Sequence, residues 1–134
     1  EGGLDVAGNF DAVQVAASAL AEAGIVVSLF LDPVAEQIEA AARMGVAAVE
    51  LHTGQYALAG GNDRQAQLES LQEAGRQIVD AGMLLHAGHG LNYRNVQPVA
   101  AIDQMAELNI GHVIVARAVM VGMQQAVQEM KELI

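Results

Sequence analysis

Histidine and glycine stand side by side at two places in this chain, each where a short apolar run ends. The first place is the segment HAGHG at residues 86–90, and the second is the pair Gly111 and His112. Glycine lets backbone N–H groups approach a bound anion, and a histidine can give or take a proton near neutral pH. The two segments therefore predict an enzyme pocket that handles a phosphorylated substrate.

Two further positions, Glu50 and His52, could take part in the same chemistry together with His89 of the first segment. Glu50 lies inside an apolar run, where an ionised carboxylate is costly unless it is paired or hydrogen-bonded. It is either half of a structural pair or a carboxylate that holds or polarises a reacting group. His52, two residues later on the same side of a strand, is either functional or only the partner of Glu50. His89 stands between two glycines, and it is either a general acid or base or a histidine that packs a loop.

Four apolar runs alternate with segments whose apolar residues have helical spacing. The expected strands cover residues 26–31, 47–52, 83–87 and 104–111. The expected helices cover residues 12–23, 33–44, 62–81 and 112–133, and a glycine ends each of the first three. Asp32 and Asn62 are expected to cap the second and third helices at their amino ends.

The position of the fourth strand has an alternative, in which residues 112–116 form the strand. We prefer residues 104–111, because apolar and polar side chains alternate there and Gly111 is a natural break. A helix then begins at His112, directly after Gly111, and this arrangement binds phosphate through the amides of the helix N-terminus. The other explanation of Gly111 is a turn that only the backbone geometry requires.

The alternation of strands and helices predicts an α/β fold with a parallel sheet and right-handed crossovers. Ligands of such folds gather at the carboxyl ends of the strands. Glu50 and all four histidines of the chain are expected at that edge, which favours a functional site over isolated structural histidines. For His86 alone, a hydrogen-bonded strand residue without a role in chemistry is the favoured interpretation.

The composition limits the possible partners. The chain has 134 residues, enough for one domain, and its formal charge of −10 with only 6 Lys and Arg opposes binding to nucleic acid or anionic membranes. No apolar run has the roughly 20 residues of a membrane span. The absence of cysteine fits a cytoplasmic protein. Neither HxH nor HExxH occurs, so the sequence offers little support for a metal site.

Five segments taken together resemble the pyridoxine 5′-phosphate synthase family. They are EGGLDV at 1–6, VSLFLD at 27–32, VELHTGQYA at 49–57, HAGHGLNYRNV at 86–96 and ELNIGHVIVARAV at 107–119. The resemblance implies a (β/α)8 barrel, a TIM barrel, that assembles into octamers. It also implies an enzyme that condenses 1-deoxy-D-xylulose 5-phosphate with 3-amino-2-oxopropyl phosphate to give pyridoxine 5′-phosphate, phosphate and water, without a metal or organic cofactor.

The resemblance also implies roles for individual residues. His89 matches the proton donor of the family, and Glu50 matches the carboxylate that stabilises the transition state. Gly90 matches a backbone contact to substrate. Gly111 and His112 match residues that bind the phosphate of the aminoketone.

The resemblance covers only part of the family barrel, and residues 1–134 are expected to be a single partial domain, its C-terminal half with about four strands. The histidine and glutamate that accept protons in the family have no counterpart here, and His86 stands where the family usually has asparagine. We expect the chain alone to be inactive, to expose an apolar inner face, and either to be poorly soluble or to pair with another half. The alternatives are another phosphate-binding barrel enzyme, such as an epimerase or aldolase, or a self-associating half-barrel without catalysis. The only lysine, Lys131, lies in no strand, which counts against a lysine-dependent aldolase.

Overall fold

The part of the chain that the structure describes, residues 2–134, forms four strands and seven helices. The computed structural model describes residues 2–134, and the elements in chain order are α1 (Phe10–Glu22), β1 (Ser28–Leu31), α2 (Ala35–Met44), β2 (Ala48–His52), α3 (Gly54–Leu58), α4 (Gly61–Asp80), β3 (Leu84–Gly88), α5 (Val96–Ala100), β4 (Met105–Asn109), α6 (His112–Val121) and α7 (Met123–Lys131).

The strands form one parallel sheet in the order β1-β2-β3-β4. Each strand pairs with the next one along the chain, as expected when a helix connects neighbouring parallel strands. The α/β fold with a parallel sheet is therefore confirmed. Because all four strands run the same way, their carboxyl ends lie along one edge of the sheet.

One face of the sheet packs against α2 and α4 and forms the core. The largest fully buried side chains of the strands belong to this face, and Ile38 of α2 and Ile78 of α4 pack against them in the same cluster. Burying a side chain of this size stabilises the fold by about 1.5–3 kcal/mol relative to leaving it exposed. The strand residues on this face are Leu29, Leu31, Val49, Leu51, Leu85 and Ala87.

The opposite face carries polar side chains at its centre. In the parallel register, Glu50 of β2 lies beside His86 of β3, and His86 lies beside Glu107 of β4. Asn109 follows on the same side of β4, because side chains alternate between the two faces of a strand. We call Glu50, His86, Glu107 and Asn109 the polar face. The expected apolar inner face is therefore polar at its centre, although Phe30 of β1 and the exposed Leu84 of β3 lie on the same side of the sheet.

The preferred position of the last strand is confirmed. β4 ends at Asn109 and α6 begins at His112, so residues 112–116 are helix and not strand. Gly45 adopts a left-handed backbone with φ of 71° directly after α2, as a glycine that ends a helix does.

Three expectations about helix ends were wrong. α2 begins at Ala35 after Val34, and Asp32 makes no cap because its carboxylate binds a distant histidine. Asn62 lies inside α4, which begins after Gly60, and no side chain within residues 2–134 caps this helix. The last helix is not continuous, because Gly122 has a φ of 85° and a ψ of 154° and separates α6 from α7.

An ion pair joins the two helices across this break. The Arg117 guanidinium donates to both carboxylate oxygens of Glu129, with Nε–Oε2 at 2.7 Å and Nη2–Oε1 at 3.0 Å. The two parallel hydrogen bonds from Arg117 lower the pKa of Glu129 to about 2. The pair therefore contributes stability above the ordinary pKa of glutamate and loses it as the pH falls toward about 2.

The titration of Glu129 tests this contact. We expect its side-chain carboxyl to titrate near pH 2 by NMR, and to return toward the usual range of glutamate when Arg117→Gln removes the donor. Arg76→Gln is the matched control, because Arg76 lies on α4 and contacts a different glutamate. A Glu129 midpoint that does not move in Arg117→Gln would contradict the assignment.

Candidate active site

A cavity of about 660 Å³ opens at the carboxyl edge of the sheet. All five residues that the sequence singled out for catalysis or binding line it: Glu50, His89, Gly90, Gly111 and His112. Glu50 comes from β2, the His89–Gly90 pair follows β3, and the Gly111–His112 pair follows β4. Residues far apart in sequence therefore meet in one space, because parallel pairing aligns the ends of the three strands.

Two of the four histidines do not line the cavity. His86 lies in the middle of β3, on the polar face, with Nδ1 at 4.0 Å from Oε1 of Glu107. The sequence had suggested that His86 and Glu50 lie at the ends of their strands, and this was wrong for both, since Glu50 is the central residue of β2 and pairs with His86. His52 does end its strand, but it is buried, and its hydrogen-bond partner is Asp32, with 2.7 Å between Nδ1 and Oδ1. Of the two interpretations of His52, the one that made it the partner of Glu50 was wrong.

Glu50 owes its environment to both neighbouring strands. Its Oε2 accepts a hydrogen bond of 3.0 Å from the side-chain amide of Asn109. Gly88 of β3 leaves space for Oε1 of Glu50, since a Cβ at Gly88 would collide with that oxygen. Partial burial raises the pKa of Glu50, while the Asn109 hydrogen bond and the nearby His86 counteract part of the shift.

Asn109 is a site residue that sequence reasoning did not single out. It lines the cavity and holds the Glu50 carboxylate, although the two residues are 59 positions apart. The available signal was its position, a polar side chain at the carboxyl end of an expected strand.

His89 sits in a backbone conformation that is uncommon for a residue with a side chain. Its φ is 80°, and Gly90 follows with a φ of 77°. The buried Thr53 hydroxyl lies 2.8 Å from the carbonyl oxygen of Gly88 and 2.5 Å from that of His89, and the Thr53 amide also donates to Gly88. These contacts hold the loop in the turn that presents the His89 side chain to the cavity.

The two glycines of the cavity differ in what the fold requires of them. Gly90 needs to be glycine, because its φ is positive and a Cβ there would lie 2.7 Å from that of Ala57. Gly111 has a φ of −123°, which any residue can adopt. A Cβ at Gly111 would meet no heavy atom of residues 2–134 within 4 Å. The backbone geometry of the turn therefore does not require a glycine at position 111, and the space beside Gly111 is open to a ligand.

The first turn of α6 lies at this space, because His112 and Val113 line the cavity. Helix geometry leaves the first amides of α6 without partners inside the helix. The helical hydrogen bonds begin with the amide of Val115, which donates to the carbonyl oxygen of Gly111. Such an N-terminus favours an anion, especially a phosphate. The cavity thus combines an imidazole, a carboxylate and the amides of a helix N-terminus, a set that could serve proton transfer on a phosphorylated molecule.

Within residues 2–134, no helix is long and apolar enough to cross a membrane. No group of three or more His, Asp or Glu side chains in the same residues has the geometry to hold a metal ion.

The fold and the cavity define the class of protein. A parallel α/β sheet whose cavity lies at the carboxyl ends of its strands is the arrangement of α/β enzymes that bind small ligands, including TIM barrels. The sequence model of the family described as "Pyridoxal phosphate biosynthesis protein PdxJ" matches residues 1–134, and the chain belongs to this family.

Curated relatives carry the name pyridoxine 5′-phosphate synthase. The protein of Rhodopirellula baltica is 63% identical over 134 residues, which are 100% of this chain and 54% of the relative. That of Cyanothece sp. is 53% identical over 135 residues, covering 100% of this chain and 56% of the relative. The protein of Magnetococcus marinus is 54% identical over 134 residues, which are 99% of this chain and 55% of the relative. The chain spans about half the length of the relatives it matches, and its four-stranded parallel sheet is consistent with part of a TIM barrel.

The raised pKa of Glu50 gives a prediction about stability. A carboxyl whose pKa is higher in the folded state contributes stability below its ordinary pKa, and this contribution is lost as the pH rises through the raised value. In urea titrations, the free energy of unfolding of the wild type relative to Glu50→Gln should therefore fall as the pH rises from the ordinary pKa of glutamate through the raised pKa of Glu50. Glu39→Gln on the exposed side of α2 is the matched control. A difference that rises with pH would contradict the burial effect.

Proposed function

We propose that this chain acts as part of a pyridoxine 5′-phosphate synthase. It would be a single partial domain that supplies the C-terminal half of a (β/α)8 barrel. The reaction joins 1-deoxy-D-xylulose 5-phosphate to 3-amino-2-oxopropyl phosphate and closes the ring of pyridoxine 5′-phosphate, with release of phosphate and water. The observation that carries the proposal is the one cavity that Glu50, His89, Gly90, Gly111 and His112 line together.

His89 is the proposed proton donor. Condensation of an amine with a ketone, dehydration and loss of phosphate each require a proton on a leaving oxygen. An imidazole exchanges protons near neutral pH, and the side chain of His89 is exposed at the cavity. Thr53 fixes the backbone of His89, so the imidazole can be held ready without rearrangement.

Glu50 is the proposed stabiliser of the transition state. An iminium formed between the two substrates carries positive charge, which a nearby carboxylate stabilises. The Asn109 amide donates to Glu50 and so favours the ionised form that this role needs. Partial burial has the opposite effect on ionisation, but it strengthens the attraction between Glu50 and a cation because less water screens it.

Gly111 and His112 are the proposed binding site for the phosphate of the aminoketone, and Gly90 contacts the substrate through its backbone. The chain has a formal charge of −10, so attraction by the protein as a whole does not favour an anionic substrate. Local donors must hold the phosphate instead. The amides of α6 and the exposed His112 side chain provide them at the rim of the cavity.

We further propose that the enzyme is a cytoplasmic homo-octamer that needs no metal or organic cofactor. Support for association comes from α6, where Val115, Val119 and Met120 are each more than half exposed, at 56%, 81% and 79%. Side chains of this size clustered on one helix commonly mark a surface that another chain or domain covers.

Synthase activity in the protein at its natural length tests this function. With both phosphorylated substrates supplied, His89→Ala should lower kcat for pyridoxine 5′-phosphate formation by about 10²–10⁴-fold, because general acid catalysis is lost. Gly111→Ala should raise KM for the aminoketone phosphate without unfolding the protein, since a Cβ fits the backbone there but would enter the proposed phosphate site.

Glu39→Gln, on the far side of α2, serves as the control and should leave both constants unchanged. A wild type that assembles but forms no product would support a self-associating module without catalysis. Full activity of His89→Ala would refute the role of this imidazole.

A further inference from the structure

We propose that Asp32 and His52 are positioning residues for His89, and that His52 sets the orientation of its imidazole. This inference rests on the proposed function of His89 as the proton donor. It assigns a purpose to a buried histidine and a carboxylate that the cavity itself does not use.

The tautomer and orientation of His52 follow from its contact with Asp32. The distance between Nδ1 and Oδ1 is 2.7 Å, and an ionised carboxylate can only accept, so Nδ1 of His52 carries the hydrogen. The side chain of His52 is 5% exposed, whereas that of Asp32 is 44% exposed. Asp32 therefore keeps contact with water while it fixes a ring that water scarcely reaches.

The ring of His52 lies between two other rings. Its centroid is 5.1 Å from that of Phe30 at an interplanar angle of 62°, and 4.9 Å from that of His89 at 67°. Edge-to-face contacts in this range of distance and angle are favourable, and they weaken when either ring turns. The orientation of the His52 ring thus constrains the orientation of the His89 ring.

Gly54 closes the remaining side of His52. A Cβ at Gly54 would collide with Nε2, so this glycine lets the backbone of α3 approach the ring edge. Nε2 is buried and has no hydrogen-bond partner among residues 2–134. A buried nitrogen without a partner is costly, and such a cost is tolerated at functional sites more often than elsewhere. The position of His52 is therefore set by Asp32, Phe30 and Gly54, and not by a bond from Nε2.

The two halves of His89 then have separate supports. The hydroxyl of Thr53 holds its backbone carbonyl, and the ring of His52 contacts its imidazole. Thr53 directly follows His52, at the carboxyl end of β2, so a single dipeptide supplies both supports. A proton donor that is fixed in this way needs less rearrangement to reach its leaving group.

A role in positioning predicts that conservative variants of His52 and Asp32 differ from their alanine variants. His52→Phe keeps a ring against His89 but cannot bond Asp32, whereas His52→Ala removes the ring. Asp32→Asn keeps an oxygen that accepts from Nδ1–H, whereas Asp32→Ala removes it. If the two residues position His89, Asp32→Asn should retain most of the activity that Asp32→Ala loses. His52→Phe should fall between wild type and His52→Ala, because it keeps the ring against His89 but loses the hydrogen bond to Asp32.

The experiment measures kcat and KM of the natural full-length protein for these four variants. We expect His52→Ala to lower kcat by about 10–100-fold and Asp32→Ala by less, with KM for both phosphorylated substrates within a few-fold of wild type. Arg43→Gln on α2 is the control for a charge change away from the cavity. Equal loss in His52→Phe and His52→Ala would overturn the proposal, because proton transfer through the pair would then be required. Unchanged kcat in His52→Ala would also overturn it.

Crystal structures of the same variants give a readout that does not depend on activity. The His89 ring should occupy one orientation in the wild type and in His52→Phe, and several in His52→Ala. A single unchanged orientation in His52→Ala would refute the positioning role even if the wild type made no product. Absence of product from the wild type would instead refute the proposed function.

Discussion

Parallel pairing in a fixed register is the constraint on which the rest of this structure depends. The register places Glu50 beside His86 and brings the carboxyl ends of β2, β3 and β4 to one edge. A shift of one residue in β2 would turn Glu50 into the core and Leu51 toward the cavity. The energy that prevents such a shift comes from the apolar face, where Val49, Leu51 and Leu85 are almost fully buried.

The same register explains why polar groups can be concentrated on one face at acceptable cost. Glu50, His86 and Glu107 alternate along their strands with apolar residues that face α2 and α4. Each polar side chain then has a neighbour on the next strand with which to share charge or hydrogen bonds, as Glu50 does with Asn109. Burial and bonding have opposite effects on the pKa of Glu50, so the sheet holds a carboxylate that is partly dehydrated and still paired.

The sequence predicted what depends on local pattern and missed what depends on long-range pairing. Periodicity located the four strands, and the HAGHG segment with Gly111 and His112 located the cavity, because strand ends and glycine turns are local properties. Asp32 was misassigned as a helix cap, since local preference favours that role while its actual partner, His52, lies 20 residues away. Asn109 escaped notice for the same reason, as its contact with Glu50 exists only after the strands have paired.

A crystal structure of the natural full-length protein with bound pyridoxine 5′-phosphate tests the central claim, that these residues form one site for a phosphorylated molecule. The account predicts the ligand in the cavity between β2, β3 and β4, with its ring beside His89 and Glu50. A phosphate oxygen should lie about 2.7–3.2 Å from an amide nitrogen in the first turn of α6. A ligand bound elsewhere, with the cavity beside Gly111 still empty, would contradict it.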